Sequence, residues 1–416
     1  MSSESALVIQ LQSSSGDWVD VGLLRNRDEH NWFEFADSYW ERADRPVLGQ
    51  IFEEHGRTWK PNSNVALPRW FSHLLPEGRL RSAVALAAAV SSKREFELLR
   101  RLGSTDLPGA ARAIPAVLED RTYRVPSQAS EKEKEEAGVE DPLLKFSLAG
   151  AQLKFSVYGD GRGLTVPATG QAGNVILKLP DGRPGFEGVP EAELGALELA
   201  RAAGIEVPRA WLVDLVDVAG LEDWATAVKG KALAIERFDR REGDLRVHME
   251  ELAQVLNIPT ASERAKYTRA NFEAVAIFVG ELTGMHRVAD VIDRIVLNVL
   301  VGNGDAHLKN WAFLYPDGKR PDLSPLYDVL PTVLFIAEDD LGMNLRKSKR
   351  FEAVTLESFQ AIGLRAKFGP DDTRRQVLSA VERILSNWST LSEFLSVEKF
   401  SVLNKRLNIL PIVQQR

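Results

Sequence analysis

The 416-residue chain contains no cysteine. Disulfides, zinc–thiolate sites, iron–sulfur clusters and a cysteine nucleophile are therefore excluded, and the composition suits a reducing cytosol. Long hydrophobic runs are missing too: the longest, Val84 to Val90, falls far short of the ~20 apolar residues that span a bilayer. The start, Met1 to Val8, lacks the basic and apolar regions of a secretory signal. The expectation is a soluble, cytoplasmic protein with no membrane partner. Nor is there an excess of positive charge. Lys plus Arg number 52 against 59 Asp plus Glu, a net charge of −7, which argues against autonomous nucleic-acid binding. The six histidines form no HxH or HExxH pair, so the usual zinc-enzyme pattern is absent. A G-x-S-x-G elbow, a Walker A motif and a GxGxxG loop are absent as well. What is present is ordinary for a globular protein, 44% hydrophobic and 27% charged residues, with length for about two or three domains at ~150 residues each.

Residues 5 to about 48 alternate apolar and polar positions in short runs, such as Leu7–Leu11 and Trp18–Leu23, and predict an antiparallel sheet. From Trp70 the period becomes helical, with a break at Pro76-Glu77-Gly78 and a further helix over Lys93–Leu102. This N-terminal subdomain is assigned to 1–125. A charged, apolar-poor linker follows over 126–141. Strands are expected over Lys145–Leu148 and Lys154–Tyr158, around the turn Ala149-Gly150-Ala151, and over Asn174–Leu179. An amphipathic helix over Glu191–Ala203 and strands near Trp211–Val216 and Ala232–Phe238 complete a sheet lobe, 142–237. Beyond it, His248–Leu256, Arg269–Leu282 and Val288–Leu300 carry helical spacing and predict a helical lobe, 238–416.

One polar turn in this second lobe concentrates chemistry. Gly302-Asn303-Gly304-Asp305-Ala306-His307-Leu308-Lys309-Asn310 lies between a buried-looking helix and an apolar strand, Trp311–Tyr315. A helix end accounts for the glycines and Asn303; it does not account for Asp305, His307, Lys309 and Asn310 together. Asp305 precedes Asn310 by five residues, the spacing at which a protein-kinase loop sets its base before a metal-binding amide. A hairpin turning at Pro316-Asp317-Gly318 would return Asp328 to Asn310 as a second metal ligand. In the sheet lobe, Lys178 interrupts an apolar strand and points either to solvent or into a cleft, with Glu193 on the next helix as a possible partner. Glu236–Arg240 runs from a strand into a charged junction between the lobes, either a nucleotide hinge or a solvated strand end.

Together these segments resemble the HipA kinases of bacterial type II toxin–antitoxin systems. The resemblance rests on Trp70-Phe71-Ser72-His73-Leu74-Leu75-Pro76-Glu77-Gly78, Ser147-Leu148-Ala149-Gly150-Ala151-Gln152 and Ile176-Leu177-Lys178-Leu179-Pro180. It continues in Glu236-Arg237-Phe238-Asp239-Arg240, Gly302 to Asn310 and Pro325-Leu326-Tyr327-Asp328, in order over residues 5 to 345. It implies an α+β chain: a divergent two-lobed protein-kinase-like fold, an N-terminal α/β subdomain and an all-helical C-terminal lobe. It also implies a serine/threonine protein kinase that uses ATP and Mg2+. Asp305 would be the base, His307 its support, and Asn310 with Asp328 the metal ligands. Ala149, Gly150, Ala151, Lys178, Glu193, Glu236, Phe238, Asp239 and Tyr327 would surround the nucleotide. Ser147 would be the autophosphorylated serine. The implied partners are a HipB-like helix-turn-helix antitoxin, which supplies most contacts to operator DNA, and a protein substrate such as an aminoacyl-tRNA synthetase. A catalytically silent corepressor and a small-molecule phosphotransferase are the alternatives.

Overall fold

In the computed structural model, residues 4–104, 106–119, 122–125, 153–160, 163–167, 171–221, 225 and 228–415 are described. The expected linker over 126–141, Ser147 and the turn Ala149-Gly150-Ala151 lie outside them.

The N-terminal part is an antiparallel sheet with helices on one face. Strands β1 (Ser5–Gln12), β2 (Trp18–Arg27), β3 (His30–Phe35), β4 (Asn62–Asn64), β5 (Ala111–Leu118) and β6 (Tyr123–Arg124) pair in the order β4-β3-β2-β1-β5-β6. In β1, Leu7, Ile9 and Leu11 pack under the helices, while Ala6 and Val8 meet Leu23 and β5 side chains on the opposite face. Both faces are thus covered, which removes apolar surface from water along the whole strand. The helix expected over Lys93–Leu102 forms as Glu95–Leu102, and the preceding helical run as Gly78–Ala87.

The sheet lobe contains β7 (Lys154–Asp160), β8 (Gly163–Thr165), β9 (Val175–Lys178), β10 (Ala210–Asp214), β11 (Val218–Ala219) and β12 (Lys231–Glu236), ordered β10-β12-β9-β7-β8-β11. The helix Val189–Ala202 packs beside it. It starts earlier than Glu191 because Pro190 is suited to a first helical turn.

Helices Phe272–Thr283, Arg287–Val301, Leu356–Arg365, Pro370–Ser386 and Val397–Leu407 build the larger lobe. The helix Arg287–Val301 is buried on nearly every side between its neighbours. This lobe is not all-helical, which corrects the sequence-based expectation. Strands β13 (His248–Glu251), β14 (Ala312–Tyr315) and β15 (Asp322–Leu323) form a three-stranded sheet. The helix expected over His248–Leu256 is therefore β13 followed by one helical turn, Leu252–Val255. His248 and Glu250 alternate inward and β14 supplies the ladder, so the period-two pairing wins over the apolar spacing.

The N-terminal part grips both lobes. Val47 N donates to Gly318 O at 2.7 Å and Gln50 N to Glu250 Oε1 at 2.9 Å in the helical lobe. At the junction between the lobes, Gly109 N donates to Asp239 Oδ2 at 2.7 Å, and Arg237 pairs with Asp106 at 2.7 Å.

Candidate active site

The polar turn is shaped by the end of the helix Arg287–Val301. Gly302 closes it in the left-handed conformation, φ +74°, and a Cβ there would strike Val333. A Cβ at Gly304 would run into the Asp339 carboxylate. Buried Asn303 donates to Asn298 Oδ1 at 2.9 Å and accepts from Asp305 N at 3.0 Å, fixing the backbone at the start of the turn. Asp305 then projects outward, with 56% of its side chain exposed. Tyr267, on the helical turn Ala265–Thr268, donates its hydroxyl hydrogen to Asp305 Oδ1.

His307 Nε2 lies 3.9 Å from Asp305 Oδ1, and its ring meets Tyr267 edge-on at 5.0 Å. Burial pulls His307 down to about 4, so the imidazole is neutral at pH 7. Lys309 is buried; its ammonium donates to Glu77 Oε1 at 2.9 Å and lies 3.3 Å from Glu251 Oε2. Its carbonyl accepts from Tyr327 OH at 2.7 Å. Asn310 Nδ2 donates to the Asp328 carbonyl at 3.3 Å.

The expected return of the chain to Asn310 therefore occurs, through the β14–β15 hairpin. Asp328 sits at φ +54°, a conformation that non-glycine residues adopt rarely and hold where surrounding contacts enforce it. Its carboxylate accepts from Lys178, which also donates to Glu193, and Lys154 Nζ approaches at 3.3 Å. Lys178, at the end of β9, is thus in the cleft rather than in solvent. Burial opposes ionisation of Asp328, but the Lys154 and Lys178 ammonium groups outweigh it and hold its carboxyl far below the usual range. Burial pushes Glu193 upward, the nearby Asp328 charge adds to this, and Lys178 pulls against both.

A magnesium ion requires hard oxygen donors and is held by few carboxylates when phosphates complete its shell. Asp328 supplies the carboxylate, and Asn310 Oδ1 is buried without a hydrogen-bond partner. An amide oxygen left unsatisfied beside a carboxylate fits that donor set. Among the described residues there is no cluster of three or more His, Asp or Glu able to hold a metal alone.

These groups face a cleft of 780 Å³ between the lobes, which also takes in Ile176, Ile235, Met249 and the stretch Glu236–Asp239. The Phe238 ring leans on Tyr327 at 5.4 Å between centroids. Glu236 ends β12, and its carboxylate turns outward to Arg209 at 3.2 Å. Asp239 borders the cleft, yet its carboxylate faces the N-terminal part and is held by Arg237, Arg240 and Gly109 N. A larger hollow of 1360 Å³ opens between β7, Trp18 and the 241–246 hairpin; Asp305, Asn310 and Asp328 are not among the residues that line it.

Lys154, Tyr267, Glu77 and Glu251 are site neighbours that the sequence reading did not assign. Lys154 carries the same signal as Lys178, a cation in a buried strand. Tyr267 and Glu251 carry no local signal, since each meets the turn only through the fold; Glu77 stands in the Trp70–Gly78 segment, but nothing local ties it to the turn.

The residues 146–388, more than half of the chain, match the family profile described as HipA-like C-terminal domain, and 17–113 match the HipA N-terminal domain. The chain belongs to the HipA family. A putative kinase of Sinorhizobium fredii, Y4dM, is 38% identical over 383 residues, 88% of each chain. The serine/threonine-protein kinase toxin HipA of Shewanella oneidensis is 27% identical over 297 residues, covering 63% of this chain and 62% of that one. The structure of the Shewanella oneidensis MR-1 HipA, HipB and operator DNA complex contains a chain that superposes with a TM-score of 0.70 at 18% identity. The match covers 98% of this chain and 96% of that one. The HipA fold, two kinase-like lobes behind an N-terminal part, is therefore the fold of this chain.

Proposed function

We propose that this HipA-family chain is an ATP- and magnesium-dependent serine/threonine protein kinase and the growth-inhibiting toxin of a type II toxin–antitoxin pair. The observation that carries the reading is one cleft lined by exposed Asp305, by Asn310 and Asp328, and by the Lys178–Glu193 pair that contacts Asp328. Asp305 takes the proton from the acceptor hydroxyl, a role worth about 10²–10⁴-fold. Lys178 and Lys154 offer their ammonium groups to phosphate oxygens, and neutral His307 braces the loop without adding charge. Asn310 and Asp328 hold magnesium, which supplies neutralisation of charge on the transferring phosphates. Backbone groups of Glu236 and Phe238 receive adenine, and Tyr327 and Asp239 complete the pocket wall, Asp239 as an anchor for the hinge. Ala149, Gly150 and Ala151 are the phosphate-loop residues of this reading, by family resemblance.

Ser147 is the self-modified residue in this reading. A phosphate there adds about −1.5 to −2 charge, which repels an anionic nucleotide and makes the enzyme self-limiting. The partner is a helix-turn-helix antitoxin that carries most of the DNA contacts, as the −7 net charge favours. The substrate is a translation component such as an aminoacyl-tRNA synthetase, in the cytoplasm. The functional units of this reading are 1–125, 142–237 and 238–416, with the charged segment 126–141 between the first two.

The test is incubation with Mg2+ and γ-labelled ATP, alone and with cell extract, beside Asp305→Gln. Label on this chain or on one extract protein, lost in the variant while ATP still binds, is the expected result. Nucleotide binding without any label overturns the kinase reading and points to the corepressor.

A further inference from the structure

Glu77 belongs to the N-terminal part, in the bend before the helix Gly78–Ala87, yet its carboxylate reaches the catalytic turn. Oε1 accepts from Lys309 Nζ and Oε2 from Lys266 Nζ, both at 2.9 Å. The two lysines come from different segments. Lys309 lies between His307 and Asn310; Lys266 precedes Tyr267, the residue that donates to Asp305. One carboxylate thus ties the segment that carries the base to the segment that orients it.

The electrostatics agree with the geometry. Burial disfavours the Lys309 charge, and Glu251 and Glu77 outweigh it. Burial likewise opposes ionisation of Glu77, and Lys309 with Lys266 hold it well below the ordinary carboxylate range. Neighbouring contacts of the same part stop short of the turn: Arg69 donates to Asn257 O at 3.1 Å, His73 Nε2 meets Ile258 O at 3.0 Å, and Ser72 meets Thr260 at 2.8 Å. Docking alone is therefore served elsewhere.

We propose that Glu77 is a positioning residue for phosphoryl transfer, through which the N-terminal part holds the Asp305–Asn310 turn and the 265–268 turn in one geometry. The proposal rests on the kinase reading above. Because Glu251 still faces Lys309 in its absence, Glu77→Gln leaves the buried ammonium a partner and the fold intact.

The test uses the full chain, Glu77→Gln, Lys309→Met, their combination, and Arg69→Ala as a docking control. Each is assayed for label transfer from γ-labelled ATP to itself and to casein, normalised to titrated nucleotide-binding sites. Glu77→Gln is expected to lower kcat by about 10–100-fold with ATP KM within ~2-fold, as misplacement of reacting groups does. The double variant is no worse than Lys309→Met alone, since coupled residues lose one shared interaction. Arg69→Ala keeps its kcat. An unchanged kcat in Glu77→Gln, an equal loss in Arg69→Ala, or multiplied losses in the double variant overturns the proposal. Hydrogen exchange of the 303–310 segment, measured without nucleotide, separates this inference from the kinase reading. Faster exchange in Glu77→Gln supports positioning even if the wild-type chain transfers no label, and unchanged exchange overturns it.

Discussion

Two ionic clusters flank the 236–240 junction between the lobes, and they are built differently. Behind it, Arg237 makes a two-pronged contact with Asp239 at 2.9 and 2.8 Å and a third with Asp106 at 2.7 Å, while Arg240 joins both acids at 2.8 Å. The rigid Arg237 guanidinium grips Asp239 through both carboxylate oxygens, and Asp239 is only 5% exposed. In the cleft, flexible lysines share Asp328, which is 29% exposed, and Asn310 Oδ1 has spare hydrogen-bonding capacity. The first cluster is a fastening. The second has room to exchange partners, which a site that binds and releases a nucleotide requires.

The sharpest way to break this contrast is to remove one cation from each. Arg237→Met strands Asp106 and Asp239 with a single arginine and is expected to cost about 3–5 kcal/mol of stability in urea unfolding. Lys178→Met should cost less, because Lys154 remains beside Asp328 and Glu193 is already pushed toward protonation. Equal losses would erase the distinction. Asp328→Ala comes next, with a loss of magnesium-nucleotide affinity by calorimetry of at least about ten- to a hundredfold, which is the cost of losing a group that merely supports a metal ligand. Nucleotide without magnesium should bind as well or better, since Lys154 and Lys178 lose their competing carboxylate; weaker binding in both cases would deny Asp328 a metal role.

The smallest effect is in pH. Burial lowers His73 to about 3 and His248 and His307 to about 4. Their folded values lie below the unfolded one, so their contribution to stability is present above pH ~6.5 and falls as pH drops toward 4. Burial pushes Glu250 and Glu251 up to about 7, which works in the opposite sense between 4.5 and 7. Glu250→Gln removes one opposing group, so melting temperatures of that variant should fall more steeply on acidification than the wild type's. A parallel pair of curves would show that Glu250 does not titrate there.

Local sequence carried much of the site. The five-residue interval from Asp305 to Asn310, the hairpin that returns Asp328, and Lys178 alone in an apolar strand are all readable within about 30 residues. His248–Glu251 was misleading because its inward residues are polar, so its alternation does not look like a buried strand. The β1–β5 pairing joins segments about a hundred residues apart, and Lys154, Tyr267 and Glu77 acquire roles only through contacts across 38 to 232 residues. No periodicity records such meetings.

The reach of Glu77 has a consequence for synthesis. Lys309 follows it by 232 residues, and at ~5–20 residues per second a ribosome needs roughly 10–50 seconds to cover that distance. The N-terminal part is therefore made, and free to fold, well before the turn it grips has been polymerised. An unfinished chain can own a complete first sheet and still have no working cleft, so an activity dependent on this contact cannot arise until translation has passed Lys309, well into the second lobe.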